Sequence, residues 1–138
     1  MEFARINPPG LFKHPFFTRV VTVKGPCKFI FIAGLTAADR NYRYVAPGDY
    51  RKQYIKILEN LTLQLSAAGA TWDDVVFRRI YALDVDAFLH AQADVLTPWS
   101  SDSAPPSTLI GVTRLSSPDF VLEIDLTAVW TPTSCRCR

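Results

Sequence analysis

The sequence predicts an α+β domain, with about five or six strands in a mixed sheet and two helices on one face. Three observations lead there: an amphipathic run from Tyr50 to Ala68, a shorter one after Asp86, and β-branched or aromatic runs before, between and after them. A chain of 138 residues, 49% apolar and 12% aromatic, fits one ordinary domain with a real core.

Phe16 to Lys24 is rich in β-branched and aromatic residues, and Lys28 to Ala33 repeats that character after Gly25-Pro26. The pair reads as a β-hairpin. Gly34 to Asp49 is a polar loop with room for a short strand around Tyr44. After Asp49, the apolar positions Tyr54, Ile57, Leu58, Leu61, Leu65 and Ala68 recur every three or four residues, which makes a helix that Gly69 stops. Val75 to Leu83 reads as a strand in which Arg78 and Arg79 interrupt an apolar run. A second helix starts near Asp86, its expected cap, and carries Phe88, Ala91, Val95 and Trp99 on one stripe until Pro98 ends or kinks it. Ser107 to Arg114 is a further strand. The last, Val121 to Trp130, alternates Leu122, Ile124, Leu126, Ala128 and Trp130 with Glu123, Asp125 and Thr127. Two helices cover one sheet face only, so Phe, Val and Ile side chains on the other face predict burial against sister subunits.

Composition removes several classes of function. Fifteen Lys and Arg against thirteen Asp and Glu give a net charge of +2, scattered except for Arg136 and Arg138, which is no nucleic-acid footprint. No apolar run approaches the ~20 residues that span a bilayer. Met1 to Gly10 carries charges and prolines where a signal peptide needs apolar residues, so a cytoplasmic protein is expected. Three cysteines, an odd number, fit a reducing compartment. Cys135 and Cys137 supply two ligands at most where a closed zinc site needs four, so no metal is expected. Asn60-Leu61-Thr62 matches a glycosylation acceptor but falls inside the first helix and reads as accidental.

Particular words in the chain resemble the RidA (YjgF) family. They are Pro47-Gly48-Asp49, Gln53, Leu58-Glu59-Asn60-Leu61, the run from Ala67 to Val76 around Trp72, Leu83-Asp84, and Leu122-Glu123-Ile124-Asp125. The likeness runs from about Pro15 to Trp130, and Asn60 to Val76 is its most specific part. The resemblance implies a homotrimer of chorismate-mutase-like subunits with small-molecule clefts at the interfaces. It also implies, for the deaminase branch, hydrolysis of 2-enamino and 2-imino acids without cofactor. There an arginine holds the substrate carboxylate and a glutamate positions or activates water, a division that suits a planar guanidinium and a carboxylate in a dry cleft.

Carried over position by position, Glu123 takes the glutamate's place and is the catalytic candidate. The arginine's place in the family's Pro-Ala-Arg-Thr word is Ser107, within Pro105-Pro106-Ser107-Thr108. Ala33 stands at a small-hydroxyl position, Gln92 at an asparagine-like one, Leu109 at a cysteine-like one, and Phe16 at an aromatic one without its hydroxyl. These changes remove a charge and widen an apolar pocket. Losing a charge-assisted pair to a carboxylate costs ~2 to 5 kcal/mol, about two to three decades of affinity. Arg19 is the nearer rescue; Arg114 lies seven residues from Ser107, roughly 23 Å along a strand.

The leading expectation is therefore an acid-base enzyme acting through Glu123 on a larger, apolar, secondary-metabolite-like intermediate. The alternatives are a deaminase with altered carboxylate anchoring and a non-catalytic ligand- or partner-binding trimer. A ribonuclease role, which the resemblance also raises, is disfavoured by the near-neutral charge and by His14 and His90, the only histidines, being placed by no motif.

Overall fold

The structure, a computed structural model, describes residues 2–130; the Cys135–Cys137 pair and the arginines beside it lie outside them. Six strands run β1 (Glu2–Ile6), β2 (Val20–Lys24), β3 (Lys28–Leu35), β4 (Val75–Ala82), β5 (Ser107–Gly111) and β6 (Leu122–Trp130). The helices are α1 (Tyr50–Ala67) and α2 (Val85–Gln92). The domain is α+β as predicted, but the strands divide into a two-stranded ribbon and a four-stranded sheet of order β3-β6-β4-β5. In that sheet β6 is antiparallel to both neighbours, while β4 and β5 run parallel with α2 as their crossover.

The expected hairpin between the second and third strands does not form. β2 pairs with β1, from Glu2↔Lys24 to Ile6↔Val20, and β3 pairs with β6. Gly25 adopts φ 107° between them, but the ladder partners of β2 and β3 come from β1 and β6, far off in sequence. β2 also starts at Val20, leaving Phe16 in a turn, and Glu2–Ile6 form β1, a strand the sequence reading did not include.

Asp49 caps α1, accepting from Lys52 N–H at 2.9 Å. At its other end Gly69 adopts φ 77°, and Gly69 and Ala70 N–H donate to Ser66 and Leu65 carbonyls, a Schellman closure. Tyr54, Ile57, Leu61 and Leu65 are fully buried and face Leu122, Ile124 and Leu126 in one core. Trp72, in the turn before β4, donates to Thr62 Oγ1 on α1 at 2.8 Å. The cap of α2 is Asp84 rather than Asp86, accepting from Ala87 N–H at 3.0 Å. That helix ends at Gln92, before Val95, Pro98 and Trp99, and β5 ends at Gly111, so Arg114 is outside it. The short strand expected near Tyr44 is a single Ala38↔Tyr44 bridge.

The face of the sheet away from the helices is open. Phe29 is 62% exposed, Phe31 78% and Phe77 37%, with the Phe29 and Phe31 rings stacked at 6.3 Å. None of the helices among the described residues is long and apolar enough to cross a membrane.

One polar side chain fixes how β6 begins. Gln53 on α1 is fully buried and donates to the carbonyls of Asp119 (2.7 Å) and Ala46 (3.2 Å), while its Oε1 accepts from Val121 N–H (3.1 Å). Gln53→Leu fills the volume but leaves those backbone groups without partners, so urea titration should show a loss of about 3 kcal/mol.

Candidate functional site

The candidate residues gather at two places, one at each edge of the sheet. The first lies where β3 borders β6. The ladder slips between Ile32 and Leu35, so Ala33 and Gly34 form an irregularity opposite the start of β6. Glu123 occupies the space a side chain at Gly34 would need; a Cβ there would stand 3.1 Å from Glu123 Cδ and closer still to Oε1. The close approach explains a glycine inside a strand. Ala33, beside it, is exposed. Half-burial, followed by the charge of Asp125, pushes the Glu123 carboxyl above its ordinary value. Glu123 lines a cleft of about 890 Å³ together with Gly34, Thr36, Arg40, Lys56, Asn60 and Gln64.

The second place is the β5 edge, beside α2. Ser107 opens β5 directly across from Arg78 on β4. Arg78 alternates with Ile80 and Ala82 and so points under the helices, where it is 2% exposed. Its Nε donates to Ser107 Oγ at 2.7 Å, Nη1 to Tyr54 Oη at 3.3 Å and Nη2 to the Phe16 carbonyl at 3.5 Å, and its guanidinium lies 4.7 Å over the Trp99 ring. Desolvation lowers its pKa, and the facing Tyr54 offsets part of that. Leu109 packs on the core, and Gln92 is buried at the end of α2.

Arg19 is occupied elsewhere. Its Nε and Nη2 donate to the Phe12 carbonyl at 3.1 and 2.9 Å, and it lies 5.1 Å from the Phe17 ring centroid. His14 stacks on Phe17 at 4.3 Å and accepts from Phe16 N–H; His90 is exposed on α2.

Glu123 and Ser107 do not meet within one chain. Glu123 shares the open face with Asp125, which binds Arg79 and Tyr81, whereas Ser107 reaches Arg78 under the helices. Their strands, β6 and β5, are two strand spacings apart, roughly 10 Å, with β4 between them. Arg78, Tyr54 and Trp99 were not anticipated as site residues. Alternation gave a signal, since counting by twos from Ile80 places Arg78 on the helix side.

The family model described as Endoribonuclease L-PSP matches residues 15–130. The chain belongs to the RidA/YjgF family. A RutC family protein of Pyrococcus abyssi is 30% identical over 100 residues, covering 72% of this chain and 77% of that one. One of Synechocystis is 30% identical over 102 residues, covering 73% and 78%. Among solved structures, the Rid family protein YyfB of Yersinia pestis superposes with a TM-score of 0.80 at 30% identity, over 94% of this chain and all of that one. Yeast Mmf1 shares the fold, with a TM-score of 0.64 at 14% identity, over 94% of this chain and 100% of that one. Within this fold, the buried cation Arg78 on β4 stands next to Ser107 on β5.

Gly34→Ala tests the packing at Glu123. The added methyl group should push the carboxylate out of its seat, so any turnover that depends on Glu123 falls by more than tenfold while circular dichroism and melting stay near wild type.

Proposed function

We propose that this RidA/YjgF protein is a cofactor-independent small-molecule enzyme that works as a homotrimer. Glu123 of one subunit transfers a proton or activates water on a larger, apolar substrate held against Phe16, Gln92, Ser107 and Leu109 of the next. One observation carries the reading: Glu123 lies on the open face of the sheet and Ser107 on the helix side, so a second copy is needed to complete the site. Exposed Phe29, Phe31 and Phe77 support it, since a neighbouring subunit is the natural cover for an apolar sheet face. The apolar substrate class follows from Ala33, Ser107 and Leu109 standing where a hydroxyl, a cation and a thiol would make the pocket polar. RNA cleavage finds no support, because His14 is stacked among Phe12, Phe16 and Phe17 and His90 is alone on a helix surface.

A second reading, a deaminase with altered carboxylate anchoring, is favoured by one feature: the buried Arg78 bound to Ser107 Oγ. A coupled assay generating 2-iminopropanoate in situ separates the two. The first reading expects consumption little above the buffer rate.

Light scattering coupled to size exclusion should give three times the monomer mass, and a monomer at micromolar concentration would remove the shared site. Glu123→Gln keeps shape but cannot take a proton, so the rate should fall by about 10²- to 10⁴-fold in an intact trimer.

The pH dependence has a definite sign. The raised Glu123 pKa means that ionisation is penalised in the folded state, so its contribution to stability falls as pH rises through the window from the unfolded to the folded value. Glu123→Gln should accordingly melt higher than wild type at neutral pH, with the difference vanishing in acid. With the ionised carboxylate as base, the wild-type rate should drop as pH falls through a midpoint above the ordinary carboxylate range.

A further inference from the structure

Glu123 does not stand alone on the open face. Three other side chains there form one polar cluster across β4 and β6. The ladder sets Arg79 opposite Asp125 and Tyr81 opposite Glu123. Arg79 Nε donates to Asp125 Oδ1 at 3.0 Å and Tyr81 Oη to Asp125 Oδ2 at 3.3 Å, so each oxygen of that carboxylate has its own donor. The tyrosine bond is a diagonal one, within reach of a long aromatic side chain in an antiparallel pair. The Asp125 side chain is 16% exposed, against 52% for Arg79, so the carboxylate is the inner member of the ion pair.

Asp125 and Glu123 are two residues apart on one strand, which projects both carboxylates from the same face at roughly 7 Å. Neither is free to drift. Asp125 is held by its two donors, and Glu123 is seated against Gly34. Burial first, and the Asp125 charge second, raise the Glu123 pKa. Burial, Asp125 and Glu123 also raise that of Tyr81, so its hydroxyl stays a neutral donor. The other charged groups near Glu123 line the cleft: Asp39 and Arg40 in the loop after β3, and Lys56 on α1. β3 itself brings only Ala33 and Gly34. An ion pair with a half-exposed arginine contributes little to stability, which leaves the two-point hold on Asp125 to be explained by what it does to its neighbour.

We propose that Asp125 is a positioning residue for Glu123: Arg79 and Tyr81 fix its carboxylate at one distance, from which its charge favours the protonated form of Glu123. Arg79 and Tyr81 also limit the effect, because both donate to the charge they hold. The proposal rests on the reading that Glu123 is the acid-base group. It adds that the proton affinity of that group is built by neighbours on the same sheet face, two of them from β4.

The test follows the Glu123 side-chain carboxyl carbon by ¹³C NMR through an acid-base titration of the full chain, which needs no substrate. Asp125→Asn keeps the shape and removes the charge, so the Glu123 midpoint should fall by roughly half a pH unit or more, the size of the interaction between two charges about 7 Å apart near a protein surface. Arg79→Met should raise the midpoint, because the Asp125 charge is left uncompensated. Tyr81→Phe should raise it by less. In the Asp125→Asn background Tyr81→Phe should change nothing, since a neutral phenol acts here only by donating to Asp125. If Asp125→Asn does not assemble, Arg79→Met and Arg79→Lys carry the test: the first should raise the midpoint and the second bring it back towards wild type.

A Glu123 midpoint unmoved in Asp125→Asn would overturn the proposal, and a lower melting temperature in that variant would then make the cluster a cross-strand tie only. An equal effect of Tyr81→Phe with and without the Asp125 charge would overturn it as well. The two readings fail separately. Full turnover in Glu123→Gln removes the acid-base function while the titration of Glu123 still reports on Asp125. Lost turnover in Glu123→Gln, with an unmoved midpoint in Asp125→Asn, removes this proposal alone.

Discussion

Two helices packed on a four-stranded sheet cover one face and leave the other to be covered by something else, and the rest of the structure follows from that constraint. α1 spends its apolar stripe on Leu122, Ile124 and Leu126 of the central strand β6. The alternate residues of the same strand, Glu123, Asp125 and Thr127, are thereby turned to the open side. A carboxylate in the middle of a sheet becomes available for chemistry because the pleat cannot bury both sets. The Gly34 irregularity in β3 then gives Glu123 room to lie across the neighbouring strand.

The two candidate places are also electrostatically unlike. At the β3 edge a carboxyl is made easier to protonate by partial burial and by Asp125. At the β5 edge a guanidinium is buried with no carboxylate partner among the described residues and held by hydroxyls and an aromatic face. Each is unfavourable in isolation, the first as an anion and the second as a cation. Groups held against their preferred charge state cluster at functional sites, although structural networks produce them too. The Phe16 turn is tied to Arg78 by its carbonyl, which links the long connection between β1 and β2 to β4.

Much of the fold was legible because its signals are local. Asp49 and Gly69 delimit α1 by capping chemistry that needs no tertiary partner, and the alternation in β6 states its buried face outright. The errors fall where a partner must be chosen. Phe16 to Lys24 and Lys28 to Ala33 both look like strands, yet which strand each pairs with depends on β1 and β6, residues far off in sequence. The α2 cap moved by two residues because Asp84 and Asp86 are equivalent in type and only the path of the chain after β4 selects between them.

For the candidate site, the sequence by itself singled out Glu123 and Ser107 as candidates, since both are read from residues in order. Tertiary structure decided the rest. It engaged Arg19 with the Phe12 carbonyl, placed Arg78 against Ser107 through the parallel β4–β5 register, and set Glu123 on the opposite face. The physical reason is that side-chain type is a property of one position, whereas counter-charge, burial and reach are properties of the neighbours that folding brings to it.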